Sequence, residues 1–153
     1  MNWSEVRWLP FQDVLDERGR LTAVEGSAHI PFRIARVFYV HQVCTGQERG
    51  GHAHKDTDQV AVAVHGQMKV DLSDGVTTRT FHLNDPGRGL YIPRLLFTRL
   101  YDFRPDTVLL VFASTAYDRS RSIRSWEEYL AYRQLAASSA GDEVVCAVAG
   151  PEV

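Results

Sequence analysis

Two histidines, His52 and His54, stand two residues apart in "ERGGHAHKDTDQ" (48–59), with Arg49 before them and Lys55 directly after. Imidazoles at that spacing support two kinds of chemistry. They hold a transition metal when more imidazole or carboxylate ligands converge on them. Without a metal they move protons near neutral pH, because free histidine has a pKa of about 6.5. In a strand, residues i and i+2 face the same way, about 7 Å apart, so both rings would line one side. A proton leaving the carbon beside a carbonyl creates an enediolate, whose oxygen needs donors already in place. Arg49, Tyr39 and Tyr91, on neighbouring strand-like runs, are the candidates.

The elements that would position these groups are short strands. "ARVFYVHQV" (35–43) is rich in β-branched and aromatic residues, and "QVAVAVHG" (59–66) alternates strictly. "QMKVDLSDG" (67–75) and "VTTRTFHL" (76–83) follow after turn signals at Gly66 and at "SDG" (73–75). "LYIP" and "FTRLYDF" come next, and "TVLLVFAS" (107–114) reads as a strand buried on both faces. Strands about ten residues apart, with tight turns and no helices between, predict an all-β sandwich or barrel. Within 59–66, Gln59, Ala61, Ala63 and His65 share one face, read as lining a cavity. Val60, Val62 and Val64 share the other, read as packing between sheets. Only "SWEEYLAYRQLAAS" (125–138) has helical periodicity, with Ser125 as cap and Trp126, Tyr129 and Leu130 as a docking face. We expect one domain over 1–153, with its core at 16–115 and a tail at 139–153 that is disordered or an edge strand.

A chain of 153 residues that is 44% hydrophobic and 24% charged is in the globular range. Its net charge of -2 excludes the broad basic footprint that binds a nucleic-acid backbone. Local arginines are still enough to hold a phosphate. Cys44 and Cys146 form no CxxC pattern, and no apolar run is long enough for a membrane span. "MNWSEVRWLP" lacks the layout of a signal peptide, so we expect a cytoplasmic protein.

The spacing Gly46-x5-His52-x-His54-x4-Gln59-x6-Gly66 resembles the first cupin motif, with glutamine where glutamate is usual. The second cupin motif is matched by Gly87, Pro93, Leu95, Thr98 and Asp102, with Thr98 in place of histidine. The resemblance implies an all-β, cupin-type double-stranded β-helix, a jelly-roll barrel with one C-terminal helix. A metal cupin uses three histidines and one carboxylate. Two imidazoles, an amide and a hydroxyl make a poor set for zinc, iron or manganese, so we expect no metal.

"DERGRLTAVE" (16–25), "IPFRIARVFYV" (30–40), "ERGGHAHK" (48–55), "GLYIP" (89–93), "LYDF" (100–103), "VLLVFAS" (108–114) and "YDRSRSIRSWEEY" (117–129) run in order along most of the chain. Together they resemble the cupin-type dTDP-4-keto-6-deoxyglucose 3,4-ketoisomerases of deoxysugar biosynthesis. That resemblance implies a homodimeric enzyme, without metal or other cofactor, that shifts the keto group of the dTDP-linked sugar from C4 to C3. A downstream PLP aminotransferase would then use the 3-keto product. The family's histidine pair falls on His52 and His54, and its tyrosine and arginine on Tyr39 and Arg49. Arg18, in "DxRG", is expected at the nucleotide or pyrophosphate. Lys55, Gln59, Tyr91, Thr98 and Arg99 are expected around the substrate.

The chain departs from the family at Phe97-Thr98-Arg99-Leu100, where "WHEM" is expected, and at Arg121-Ser122, read as a surface difference. His29, His41, His65 and His82 are read as structural. Three other functions stay open: a nucleotide-sugar 3- or 3,5-epimerase, a non-catalytic nucleotide-sugar-binding cupin, and a metal-dependent oxygenase.

Overall fold

Alternating side chains sort the apolar residues of this chain to two faces of one sheet, and that sorting builds the molecule. The computed structural model describes residues 3–141, and the side chains of residues 3–139. Its strands are β1 (Arg7–Pro10), β2 (Gln12–Asp16), β3 (Gly19–Ala23), β4 (Arg36–Val40), β5 (Arg49–His54) and β6 (Gln59–His65). They continue with β7 (Met68–Ser73), β8 (Thr78–Leu83), β9 (Arg88–Ile92), β10 (Phe97–Tyr101), β11 (Val108–Ala113) and β12 (Ser122–Ile123), and α1 (Trp126–Gly141) closes the described chain. One antiparallel sheet has the order β1-β9-β6-β11-β4 and a second the order β12-β5-β10-β7-β8. Among the described residues the hairpin β2-β3 pairs with no other strand.

The inter-sheet core draws Ala61 and Ala63 from β6, Leu90 and Ile92 from β9, and Leu109 and Val111 from β11. Met68, Val70 and Leu72 of β7 meet them from the second sheet. The small alanines leave room there for a cavity lined partly by Ala61. Val60 and Val62 do not pack between the sheets as expected. They pack on the outer face of the first sheet, with Leu9, Phe11, Ile30 and Phe112. The inner, cavity-lining face is therefore the alanine face. His65, expected on that face, lies exposed at the end of β6.

The strands expected at 59–66, 67–75, 76–83 and 107–114 are all present within a few residues. Segment 35–43 is shorter than expected: β4 stops at Val40, and Gln42 takes a φ of 55°. Strands β1 and β2 precede the expected core. Their few residues carry little periodic signal.

The helix forms where its capping signals lie. Ser125 Oγ accepts the backbone N–H of Glu128 at 3.1 Å, as an N-cap should. Fully buried Tyr129 anchors it, its hydroxyl 2.9 Å from the Ser73 carbonyl oxygen and 2.8 Å from that of Leu95. Phe97 and Trp126 complete an aromatic group around Tyr129. Leu130 stays only half-buried. No helix among the described residues is long and apolar enough to cross a membrane. The rest of the expected tail, 142–153, lies outside the described residues.

Candidate active site

His52 and His54 project from the same face of β5, and their ring centroids are 4.8 Å apart in a near-perpendicular arrangement. Ala53 between them points the other way, into the cluster with Ile123 and Tyr129. Strand β5 is thus pinned on one side by a packed core while its opposite side presents two imidazoles. The preceding Gly50 and Gly51 have φ values of 83° and 71°, and the β5–β10 register slips beside them. They form a bulge inside the strand rather than a turn, a conformation that glycine adopts without strain.

Two cavities meet at His52. The first, about 330 Å³, lies inside the barrel and is lined by His52, Gln59, Ala61, Thr98 and Arg49, with Phe38 also contributing. The second, about 320 Å³, is lined by Arg36, Phe38, His52, His54, Tyr117 and Arg124. His52 and Phe38 border both, and His54 borders only the second.

The two histidines are held differently. The Gln59 side-chain nitrogen is 3.2 Å from His54 Nε2, and Ser122 Oγ is 3.3 Å from Nδ1, so neutral partners occupy both ring nitrogens of His54. Desolvation pushes the His54 pKa down to about 4, helped by His52, Arg36 and Arg124 and opposed by Asp56. Desolvation also lowers the His52 pKa, with a hydrogen bond to the Gly50 backbone opposing it and Arg124 and Arg36 adding to it. Both rings are therefore neutral near pH 7, the form in which an imidazole accepts a proton.

Thr98 and Gln59 lie where they were expected, both buried at the barrel cavity, and Thr98 is directly opposite His52 in the ladder. Arg49 also borders the cavity. Tyr39 reaches only its rim. Alternation along β4 turns Arg36, Phe38 and Val40 inward and leaves Tyr39 63% exposed, stacked on His41. The structure does not bring Tyr91 to the histidines: on β9 it faces the outer side, beneath Phe32 and the Arg7 guanidinium. Lys55 follows His54 on the opposite parity and sits over the Tyr132 ring of α1. Arg99 points outward and pairs with Glu48 and Asp71. Arg18 sits on the exposed β2-β3 hairpin, paired with Asp16, and lines neither of the two cavities at the histidines.

Five residues at the histidines were missed: Arg36, Phe38, Tyr117, Ser122 and Arg124. Ser122, read as a surface difference, is half-buried against His54 because β12 pairs with β5 in the register Ser122↔His54. Strand parity would have found Arg36, two residues before Phe38 on the inward face. Nothing local in the sequence announces that the two-residue strand β12 crosses back to the histidines.

An antiparallel jelly-roll barrel with imidazoles on one strand, opening into its interior, defines the class: a cupin. A family model described as "FdtA: WxcM-like, C-terminal" matches residues 4–134, and the chain belongs to that family. A relative from Aneurinibacillus thermoaerophilus, TDP-4-oxo-6-deoxy-alpha-D-glucose-3,4-oxoisomerase, is 36% identical over 128 residues, covering 84% of this chain and 92% of the relative. Among solved structures, a double mutant of the QdtA 3,4-ketoisomerase from Thermoanaerobacterium thermosaccharolyticum, in complex with TDP, superposes with a TM-score of 0.84 at 38% identity. That match covers 89% of this chain and 98% of the other. The WlaRB TDP-quinovose 3,4-ketoisomerase from Campylobacter jejuni gives a TM-score of 0.78 at 35% identity, over 82% and 97% of the two chains.

Proposed function

We propose that this chain is a nucleotide-sugar 3,4-ketoisomerase that converts TDP-4-keto-6-deoxyglucose to its 3-keto isomer. Family membership supports the reaction class. The observation that carries the reading is the pair of neutral imidazoles, one of which, His52, borders both cavities. The reaction moves an oxidation level between adjacent carbons of one molecule, so it needs proton transfer and no external oxidant or reductant. His52 takes the C3 proton, and the C3–H bonding pair becomes the C3–C4 double bond of an enediolate. The C4=O π pair moves onto O4 as this forms; a proton then returns to C4, the O3 hydroxyl proton passes to O4, and the new carbonyl forms at C3.

His54, with both ring nitrogens engaged, serves as the partner that relays the proton rather than the first base. Arg49 and the Thr98 hydroxyl supply polar contacts at the sugar from the barrel side. Gln59 orients His54 instead of ligating a metal, and the proposed mechanism has no metal step. Among the described residues no three His, Cys, Asp or Glu side chains converge to hold an ion.

The reading includes a cytoplasmic homodimer that feeds a PLP aminotransferase, for which a 3-keto sugar is the required substrate class. Val14, Leu15 and Leu21 are about half exposed or more on the β2-β3 hairpin, and that apolar surface supports a second copy as its cover. Such a dimer offers Arg18 a route to a nucleotide across the interface.

The deciding experiment incubates chelated protein with TDP-4-keto-6-deoxyglucose in D₂O and follows it by NMR. The carbonyl is expected to move from C4 to C3 with exchange of the C3 hydrogen. Folded protein that leaves both carbon positions unchanged overturns the reading.

A further inference from the structure

His54 is touched by a hydroxyl that comes from outside both cavities. Ser122 Oγ lies 3.3 Å from His54 Nδ1, and Ser122 borders neither of the two spaces at the histidines. It stands beside His54 because β12 pairs with β5 in the register Ser122↔His54 and Ile123↔Ala53. Ile123 is fully buried with Ala53 and Tyr129, and the Lys55 N–H donates to the Arg121 carbonyl oxygen at 2.9 Å. The backbone on both sides of Ser122 is thus fixed to β5 and its extension, and the half-buried hydroxyl reaches the ring from a set place.

The two contacts on the ring also decide where its hydrogen sits. The Gln59 side-chain nitrogen, 3.2 Å from Nε2, is a donor only, so Nε2 accepts and the neutral ring carries its hydrogen on Nδ1. That N–H donates to the Ser122 hydroxyl. When His54 takes up a second proton, at Nε2, the Gln59 amide has to turn its oxygen to the ring. The hydroxyl need not move, because its lone pairs receive the Nδ1 hydrogen in either charge state. The charged ring is costly here: burial, His52, Arg36 and Arg124 oppose the proton, and Asp56 favours it. Arg36, Arg124 and Tyr117 border the same cavity as His54. A direct acceptor on Nδ1 offsets part of that cost.

We propose that Ser122 is a positioning residue of the isomerisation: its hydroxyl holds the Nδ1 hydrogen of His54 and so lets the ring carry the relayed proton on Nε2. This rests on the ketoisomerase reading for the reaction itself. The ring gains one proton at Nε2, releases the same proton toward C4 and returns to its starting tautomer, while the Nδ1 hydrogen stays with Ser122. Removal of the C3 proton by His52 comes before that step. Loss of the hydroxyl therefore slows the return of a proton to C4 more than it slows the loss of one from C3. Because Ser122 borders neither cavity, its loss leaves nucleotide binding unchanged.

Substitution of Ser122 in the full chain tests this, with TDP-4-keto-6-deoxyglucose in D₂O followed by NMR. Ser122→Ala is expected to lower kcat about tenfold or more, the effect of losing a hydrogen bond to a charged group. Its TDP affinity by calorimetry is expected to stay within about twofold of wild type, and deuterium to enter C3 of the recovered substrate faster than product forms. Ser122→Thr, which keeps the hydroxyl, is expected to recover most of the rate. Ser122→Val, with the shape of the Thr variant but no hydroxyl, is expected to behave as Ser122→Ala does. In the His54→Asn background Ser122→Ala is expected to change the rate less than about twofold, since it acts through a ring that is no longer there. A kcat within about twofold of wild type in Ser122→Ala, equal rates in the Thr and Val variants, or a fully multiplied loss in the double variant overturns the role of Ser122. So do C3 exchange and turnover that fall by the same factor. These results leave the ketoisomerase reading in place. A folded wild type that binds TDP and changes neither C3 nor C4 of the substrate removes that reading and the role of Ser122 with it.

Discussion

Thr98 stands directly across the β5–β10 ladder from His52, and the register slips immediately beyond, so that Arg99 faces Gly50 and Gly51 is the extra residue. The pairing just before the bulge brings buried Thr98 to the barrel cavity beside His52, its hydroxyl donating to the Leu96 carbonyl oxygen at 3.3 Å. A threonine at this position therefore still faces the site in which a histidine was expected.

The bulge makes Gly50 and Gly51 unequal. A Cβ on Gly50 would lie 2.6 Å from the Thr98 carbonyl oxygen, while one on Gly51 would meet nothing within 4 Å. Gly51→Ala should cost only the left-handed backbone strain, about 1–2 kcal/mol. Gly50→Ala should cost more and shift β5 against β10, lowering activity beyond its effect on stability. Urea unfolding and turnover of the two variants check the order.

The histidines should differ in the same way. A lost general base typically costs about 10²–10⁴-fold in rate. His52→Asn is expected at the upper end of that range. His54→Asn should fall at the lower end and retain measurable C3 exchange. Deuterium incorporation in D₂O, read by NMR, separates the two steps.

Acid should affect both activity and stability through these rings. Their folded pKa values lie below the ordinary histidine value of about 6.5, that of His54 at about 4. Above pH 6.5 both rings are neutral in folded and unfolded chains, and their contribution to stability is intact. As the pH falls below about 6.5 the unfolded chain takes up protons first, so stability is lost progressively down to about pH 4. The rate in the free enzyme, kcat/KM, should stay level from pH 8 to below 6.5 before it falls. Denaturation midpoints across pH 4–8 should drop less for His54→Asn than for wild type.

The ligand set can be rebuilt to test what its loss achieved. Thr98→His with Gln59→Glu restores three imidazoles and a carboxylate around His52, three of them at the barrel cavity and His54 in contact with position 59. The double variant is expected to bind stoichiometric divalent metal by elemental analysis and to lose isomerase activity. The wild type should keep full activity after chelation.

Much of this protein was legible in its sequence because the relevant physics is local. The period-two alternation of 59–65 assigned Gln59 and Ala61 to the cavity face, since successive side chains in a strand must alternate. The same rule put His52 and His54 on one side, and the Ser125 cap with its acidic first turn located α1. Alternation does not say which face looks inward, and the valine face of β6 proved to be the outer one. It also does not place a side chain relative to a distant strand, which is why Tyr91, Lys55 and Arg99 were grouped with a site they do not enter. The pairing of β12 with β5, the edge-to-edge meeting of Arg36 and Arg124, and the Ser122 contact to His54 all depend on contacts between residues far apart in the chain. Residue types and spacing determined that two imidazoles share a face. Only the closing of two sheets decided that they meet the guanidiniums of Arg36 and Arg124, because long-range strand pairing, rather than any local propensity, sets those neighbours.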